Sequence, residues 1–313
     1  MIIKIGVDTG ITNTKAVHRL PNGEIIKVCI PTSIREALDG LVLSNETYKT
    51  KVDNKEYVVG EYKERKSPEQ SPDKANNIHR VSVLTAIFKV LEQANYDNVE
   101  TVEISLNIPF NLFVDKNEHY KMKQLYERDF LEIEVDGHKK FFNLRINLYP
   151  EGLGIALKNY DKFGKEKVSV LMLGSIHWSI ITFTEAMQPI SLQTTIDEYG
   201  TLYLVDEIRK ELYSKNYEMY DRDIIERLIS RTKRHMKEHD YEISEKLAVE
   251  YLKKVRSVAH DREIRFDITD TIIAGGGALL LQEQIKRTFK QNTTITDNDP
   301  LFADAIGSLS LLK

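Results

Sequence analysis

Cysteine is nearly absent from the chain: Cys29 is its single thiol. No internal disulfide can form, and a reducing compartment is expected. With no histidine, aspartate or asparagine arranged about it in the sequence, Cys29 is expected as a core residue of a strand and not as a nucleophile. Long apolar runs are also missing. No segment approaches the roughly 18 to 20 apolar residues that cross a bilayer. The first apolar stretch, Met1 to Val7, is broken by Lys4 and Gly6 and runs into Asp8, too short and interrupted for a secretion signal. A cytoplasmic protein with no membrane partner is expected. An excess of one charge is lacking too, since 44 Lys and Arg against 48 Asp and Glu leave a net charge of -4. That balance excludes a global pull toward nucleic acid or anionic lipid, so direct nucleic-acid binding is not expected.

What is present is ordinary globular composition. The chain has 313 residues, 41% hydrophobic and 29% charged, which fits two domains or one large one and excludes disorder. The N-terminus alternates as half-buried strands do: Ile2 to Val7, Thr14 to Arg19 and Glu24 to Ile30, a three-stranded meander. Asn22-Gly23 makes its second turn tight; the first, Asp8-Thr9-Gly10-Ile11-Thr12-Asn13, is unusually rich in hydrogen-bonding groups. A hairpin over 44–60 around Asp53-Asn54, a polar loop over 61–77 and a helix carrying Val81, Leu84, Ile87, Phe88 and Leu91 follow. Next come a strand Val102 to Ile108, a charged helical segment, a strand pair turning at Asp136-Gly137, and a strand Ile146 to Gly152 that stops at Pro150 and presents Glu151.

From Val168 the pattern restarts. Val168 to Leu173 reads as a buried strand, Gly174-Ser175 as a turn and Trp178 to Thr184 as a returning strand. A helix over 202–213, a long charged helical stretch over 221–259, a strand Ile268 to Ala274, a helical run Ala278 to Phe289 opened by Gly275-Gly276-Gly277, and a last helix over 301–312 complete the chain. Two strand-turn-strand openings argue for two α/β domains related by duplication, with a cleft between them.

The candidate chemistry lies in the turns. A strand ending in Asp-X-Gly with a small polar turn places backbone N–H groups and hydroxyls where phosphate oxygens can sit. Gly10 lets backbone approach, Thr12 and Asn13 can donate, Lys15 adds positive charge, and Asp8 can hold a magnesium ion through water. The triple glycine sits at a strand-to-helix junction, where free N–H groups and the helix dipole favour a nucleotide. Glu151 is the candidate to orient an attacking water; a glutamate at a helix start is the plainer alternative. His235-Met236-Lys237-Glu238-His239 has the His-X-X-Glu-His spacing of some zinc enzymes, and Arg231 to Arg234 is a basic cluster. Both read better as a solvated helix face.

Four segments in order, Asp8-Thr9-Gly10-Ile11-Thr12-Asn13-Thr14-Lys15, Tyr149-Pro150-Glu151-Gly152, Ile273-Ala274-Gly275-Gly276-Gly277-Ala278 and Asp299-Pro300-Leu301-Phe302-Ala303-Asp304-Ala305-Ile306-Gly307, together resemble the ParM-type plasmid-segregation actins. The resemblance covers essentially the whole chain. It implies a duplicated ribonuclease H-like, actin-like fold, with domain I over 1–152, the segment 298–313 returning to it, and domain II over 153–297. It also implies ATP or GTP with Mg2+ in the cleft, polymerisation into filaments, and a DNA-bound adaptor of ParR type that couples filaments to plasmids. The first phosphate motif maps to Asp8, Gly10, Thr12, Asn13 and Lys15, the second to Gly174 and Ser175, the adenosine motif to Gly275, Gly276 and Gly277, and the catalytic pair to Glu151 and Asp8.

Two departures stand out. Asp304 replaces the family's usual asparagine. In the second phosphate motif Met172 and Ser179 stand where carboxylates are expected, with bulky Ile176, His177 and Trp178 expected to narrow the pocket. Slowed hydrolysis follows as an expectation. A nucleotide-gated filament with little catalysis and a small-molecule kinase on the same fold are the competing readings.

Overall fold

The computed structural model describes residues 1–36, 47–60, 75–163, 166–216, 219–232, 236–289 and 293–312. Most of the polar loop expected over 61–77, the first residues of the hairpin at 44–46, and Lys233, Arg234 and His235 lie outside the described residues. The contacts divide the chain into two compact units, Met1–Gly154 with Asp304–Lys313, and Ile155–Ala303.

The first unit opens with β1 (Ile2–Thr9), β2 (Asn13–Arg19), β3 (Ile25–Pro31), β4 (Ile34–Glu36), β5 (Thr47–Val52) and β6 (Lys55–Gly60). Then come α1 (Asn77–Gln93), β7 (Thr101–Ile108), α2 (Phe110–Phe113), α3 (Lys116–Tyr126), β8 (Arg128–Val135) and β9 (His138–Pro150). Local chemistry sets the boundaries. Asn76 caps α1 by accepting from the His79 N–H at 3.0 Å, a contact worth about 1 kcal/mol. Asp53 and Asn54 take φ of 51° and 59°, the left-handed pair a two-residue hairpin needs. The strands make one nine-stranded sheet, β3-β2-β1-β7-β9-β8-β5-β6-β4. Its apolar face, with Ile3, Ile5, Val7, Ile104, Leu106 and Ile146, forms the core with the apolar stripe of α1.

The second unit begins within α4 (Leu153–Lys158) and runs through β10 (Val168–Leu173), β11 (Trp178–Phe183), β12 (Pro189–Asp197), α5 (Thr201–Asn216), α6 (Arg222–Ile229) and α7 (Glu238–His260). It ends with β13 (Asp270–Ala274), α8 (Gly276–Leu280), α9 (Gln282–Thr288) and β14 (Thr294–Thr296), while α10 (Ala303–Leu309) returns to the first unit. Its sheet is β12-β11-β10-β13-β14, with Leu171, Leu173, Trp178 and Ile180 packed against α5, α6, α7 and α9.

The two sheets share one plan. β3-β2-β1-β7-β9 and β12-β11-β10-β13-β14 each have two antiparallel pairings followed by two parallel ones. The duplication expected from the sequence is therefore present in the topology.

Several local expectations change. The strand expected to begin at Ile146 is the end of the 13-residue β9. The helical stretch expected over 221–259 is two helices, because α6 stops at Ile229 and α7 starts at Glu238. The run from Ala278 breaks at Leu281, and the last helix is shorter than 301–312. β12 and β14 were not expected; β12 mixes partly buried and exposed residues without clean alternation. Cys29 is exposed: it shares the outer face of the edge strand β3 with Lys27, while Ile26, Val28 and Ile30 take the core.

Candidate functional site

In the first unit, Asp8 on β1 pairs in register with Lys15 on β2, which pairs with Cys29 on β3. On the other side Asp8 pairs with Asn107 on β7 and Asn107 with Tyr149 on β9. Strand alternation puts this whole row on one face, the face opposite the apolar core. The polar residues of β7, Glu103, Ser105 and Asn107, alternate with Val102, Ile104 and Leu106, a pattern that makes Asn107 readable from sequence although it was not singled out.

Lys15 Nζ donates to Asp8 Oδ2 at 2.7 Å, and both residues are buried, with Asp8 at 7% and Lys15 at 9% exposure. Burial alone would push the Lys15 ammonium down, but the Asp8 carboxylate outweighs it and the net pKa is raised. The turn between them is closed by Gly10 N–H donating to Asn13 O at 3.0 Å. Thr32, which the sequence reading missed, braces it: its Oγ1 donates to Gly10 O at 2.7 Å and its N–H to Thr12 O at 2.8 Å. A side chain at Gly10 would place Cβ 2.8 Å from Asn13 O, so the turn excludes one.

Glu151 belongs to the same unit and is 4% exposed. It follows Pro150, its N–H donates to Ile108 O at 2.9 Å, and Gly152 beyond it has φ of 83°.

The second unit repeats the turn. Gly174 N–H donates to His177 O at 3.0 Å, the counterpart of Gly10 to Asn13, and a Cβ on Gly174 would lie 2.5 Å from His177 O. The chemistry of the equivalent row differs entirely: Ile196, Ser179, Met172 and Ala274 stand in register, with no charge among them. Trp178 does not narrow this turn. It sits one residue over, on the opposite face paired with Leu173, and is buried in the core.

The start of α5 clamps the second turn: Thr201 N–H donates to Gly174 O at 3.0 Å and Leu202 N–H to Ser175 O at 2.8 Å. The triple glycine joins the same cluster. Gly275 has φ of 93°, and a Cβ there would meet Leu173 O at 2.5 Å; one on Gly277 would meet Thr201 Cγ2 at 2.7 Å. Gly276 differs, because its Cβ would meet nothing nearer than Leu301 Cδ1 at 3.9 Å. The structure thus brings Gly174, Ser175 and Gly275 to Gly277 together in one unit, and Asp8, Gly10, Thr12, Asn13, Lys15 and Glu151 into the other.

Among the described residues, no three His, Cys, Asp or Glu side chains gather as a metal cage. Asp8, the carboxylate expected to hold magnesium through water, is engaged here by Lys15. Of the His-X-X-Glu-His segment, Glu238 and His239 open α7, and His239 faces Glu242 at 3.9 Å. Among the described residues no helix is long and apolar enough to cross a membrane.

Two units of one topology, each opening on a glycine-closed hairpin, define a duplicated nucleotide-type fold of the actin class. Residues 6–154 match the family model described as actin like proteins N terminal domain. Over the whole chain the fold is that of solved actin homologues. Ta0583, an archaeal actin homologue in complex with ADP, is 18% identical, with 99% of this chain and 98% of that one covered and a TM-score of 0.75. The Alp12 filament structure is 21% identical, with 99% and 98% covered and a TM-score of 0.71. Bacillus thuringiensis ParM with ATP is 17% identical, with 99% and 98% covered and a TM-score of 0.69. No curated protein sequence matches the chain.

Proposed function

We propose that the protein is a nucleotide-dependent, filament-forming actin-like protein that drives plasmid segregation in the cytoplasm through a DNA-bound adaptor of ParR type. The observation that carries this reading is the pair of matched turns, Gly10 to Asn13 and Gly174 to His177, each closed by the same hydrogen bond and each intolerant of a side chain. Such turns leave backbone N–H groups for phosphate oxygens. ATP or GTP is the ligand, its phosphates taken by Gly10, Thr12, Asn13, Lys15, Gly174 and Ser175 and its nucleoside lying against Gly275, Gly276 and Gly277. The solved relatives Ta0583 with ADP, B. thuringiensis ParM with ATP and the Alp12 filament support nucleotide binding and self-association.

Asp8 would hold Mg2+ through water, and the ion would neutralise charge developing on the phosphates. For that, Lys15 must release Asp8, and the phosphates are the natural acceptors of its ammonium. Glu151 orients the attacking water. A filament whose nucleotide is turned over only slowly is the second reading, favoured by the uncharged row Ile196, Ser179, Met172 and Ala274.

The test is right-angle light scattering at several protein concentrations with Mg-ATP, Mg-GTP, Mg-ADP or no nucleotide, with phosphate release followed in the same samples. Scattering should rise above a critical concentration only with a triphosphate. Flat scattering in every sample would remove the filament reading, and the phosphate trace separates an ATPase from a gated scaffold.

A further inference from the structure

Asp304 is buried at 3% exposure. It lies in α10, within the first unit. Its Oδ1 accepts from the Gly152 N–H at 2.9 Å, the backbone group immediately after Glu151. Its main-chain oxygen accepts from Asn107 Nδ2 at 3.1 Å, and Asn107 is the register neighbour of Asp8. The same residue therefore ties the turn bearing Glu151 to the strand beside Asp8. The strut is short and buried: Asn107 is fully buried, and a Cβ on Gly154 or Gly307 would lie within 2.3 Å of the other's backbone, so α10 and the start of α4 touch main chain to main chain.

A glutamate that orients water needs its backbone fixed, because a misplacement of an ångström can cost a hundredfold in rate. Pro150 and the Glu151 N–H to Ile108 O bond hold the turn on its entry side. On its exit side Gly152, at φ 83°, belongs to the residue type with the widest backbone choice; the Asp304 carboxylate is the side chain that pins it.

We propose that Asp304 is a positioning residue for Glu151, acting through the Gly152 N–H, and that Asn107 sets its main chain relative to Asp8. This rests on the hydrolytic role given to Glu151 above. Asp304 touches no reacting atom in this scheme. What positioning needs is an acceptor oxygen at Oδ1, which an asparagine also supplies; the carboxylate's charge acts separately, favouring the Lys15 ammonium.

The experiment compares steady-state phosphate release and nucleotide affinity for wild type, E151Q, D304A, D304N and the double variant D304A/E151Q, with the thermal midpoint of each as a folding control. D304A should lower kcat by about tenfold or more with KM changed less than about twofold. D304N should turn over within about twofold of wild type. The double variant should be no slower than E151Q alone, since both changes remove one function. A D304A enzyme at wild-type kcat, a slow but folded D304N, or multiplying losses in the double variant would overturn the inference and leave Glu151's role standing. An E151Q variant that binds nucleotide and turns over like wild type would overturn Glu151's role, and the positioning role with it. If D304A does not fold, D304L, which keeps the volume and lacks the acceptor, takes its place: a folded D304L should be slow where D304N is not, and equal rates in the two would overturn the proposal.

Discussion

Gly276 separates what the fold demands from what a ligand demands. Its neighbours are glycine for packing: Gly275 takes a left-handed φ against Leu173, and Gly277 has Thr201 and Leu173 where a side chain would go. Gly276 meets neither constraint, and alanine is the better residue inside a helix by about 0.5 to 1 kcal/mol. Under the proposed function the reason for glycine there is the close approach of the nucleotide. Gly276→Ala should keep or slightly raise the thermal midpoint and weaken ATP binding by about tenfold, the loss expected when a methyl group holds a ligand off its backbone contacts. Gly277→Ala should lower the midpoint as well. Calorimetric titration of both variants with ATP checks this, and undiminished affinity in Gly276→Ala would remove that residue from the site.

At the scale of elements, the second unit is tied together by a buried carboxylate. Asp297, just after β14, accepts from Lys158 Nζ of α4 at 2.9 Å, from Asn159 Nδ2 at 3.2 Å and from the Asp299 N–H at 2.9 Å. Burial alone would raise its pKa; the Asp299 N–H, Lys158 and Asn159 outweigh it and hold the carboxyl below its usual range. A depressed pKa stabilises fully above the unfolded value near 3.8 and loses that stabilisation as pH falls through the folded value. Asp297→Asn should therefore cost about 2 kcal/mol near neutral pH, and the gap between variant and wild type should close below about pH 3.8. Denaturant midpoints taken across that range check both halves, and a gap independent of pH would refute the charge-based account.

Elements like these show what the sequence could and could not reveal. Asp8-X-Gly10 and the alternation around it placed β1, β2 and their turn because local chemistry decides them: Gly10 must be bare and Asp8 faces away from the core. β12 was hidden because its partners, not its own residues, make it a strand; Leu192 is 82% exposed and the apolar pattern fails. The helices over 221–259 merged because charge runs on through the sequence between α6 and α7, which carries neither glycine nor proline. Thr32 was out of reach as a site residue since its contact with Gly10 spans 22 positions of chain, and the contact that joins Asn107 to Asp304, across 197 positions, was equally hidden.

For the whole molecule, the duplication has kept geometry and shed chemistry. Both turns close through the same glycine hydrogen bond, yet where the first unit has Cys29, Lys15, Asp8 and Asn107 in a row, the second has Ile196, Ser179, Met172 and Ala274, with no ionisable group among the four. Under the proposed function the nucleotide is gripped by two turns, but only one unit supplies charge for the metal. Loss of one organising group costs about 2 to 4 kcal/mol of transition-state stabilisation, two to three powers of ten in rate. Binding energy from the turns is untouched, so assembly should outlast hydrolysis and filaments should persist long after a limiting dose of ATP has been bound. Met172→Asp restores the missing acceptor beside Ser179, a small polar neighbour that can donate to it. The cost is a half-buried carboxylate in an apolar row, about 1 to 3 kcal/mol of stability. Phosphate release should rise at least about tenfold, and the scattering plateau in limiting ATP should shorten in proportion. If release and plateau are both unchanged in a folded Met172→Asp, the slow step lies elsewhere and the neutral row is not its cause.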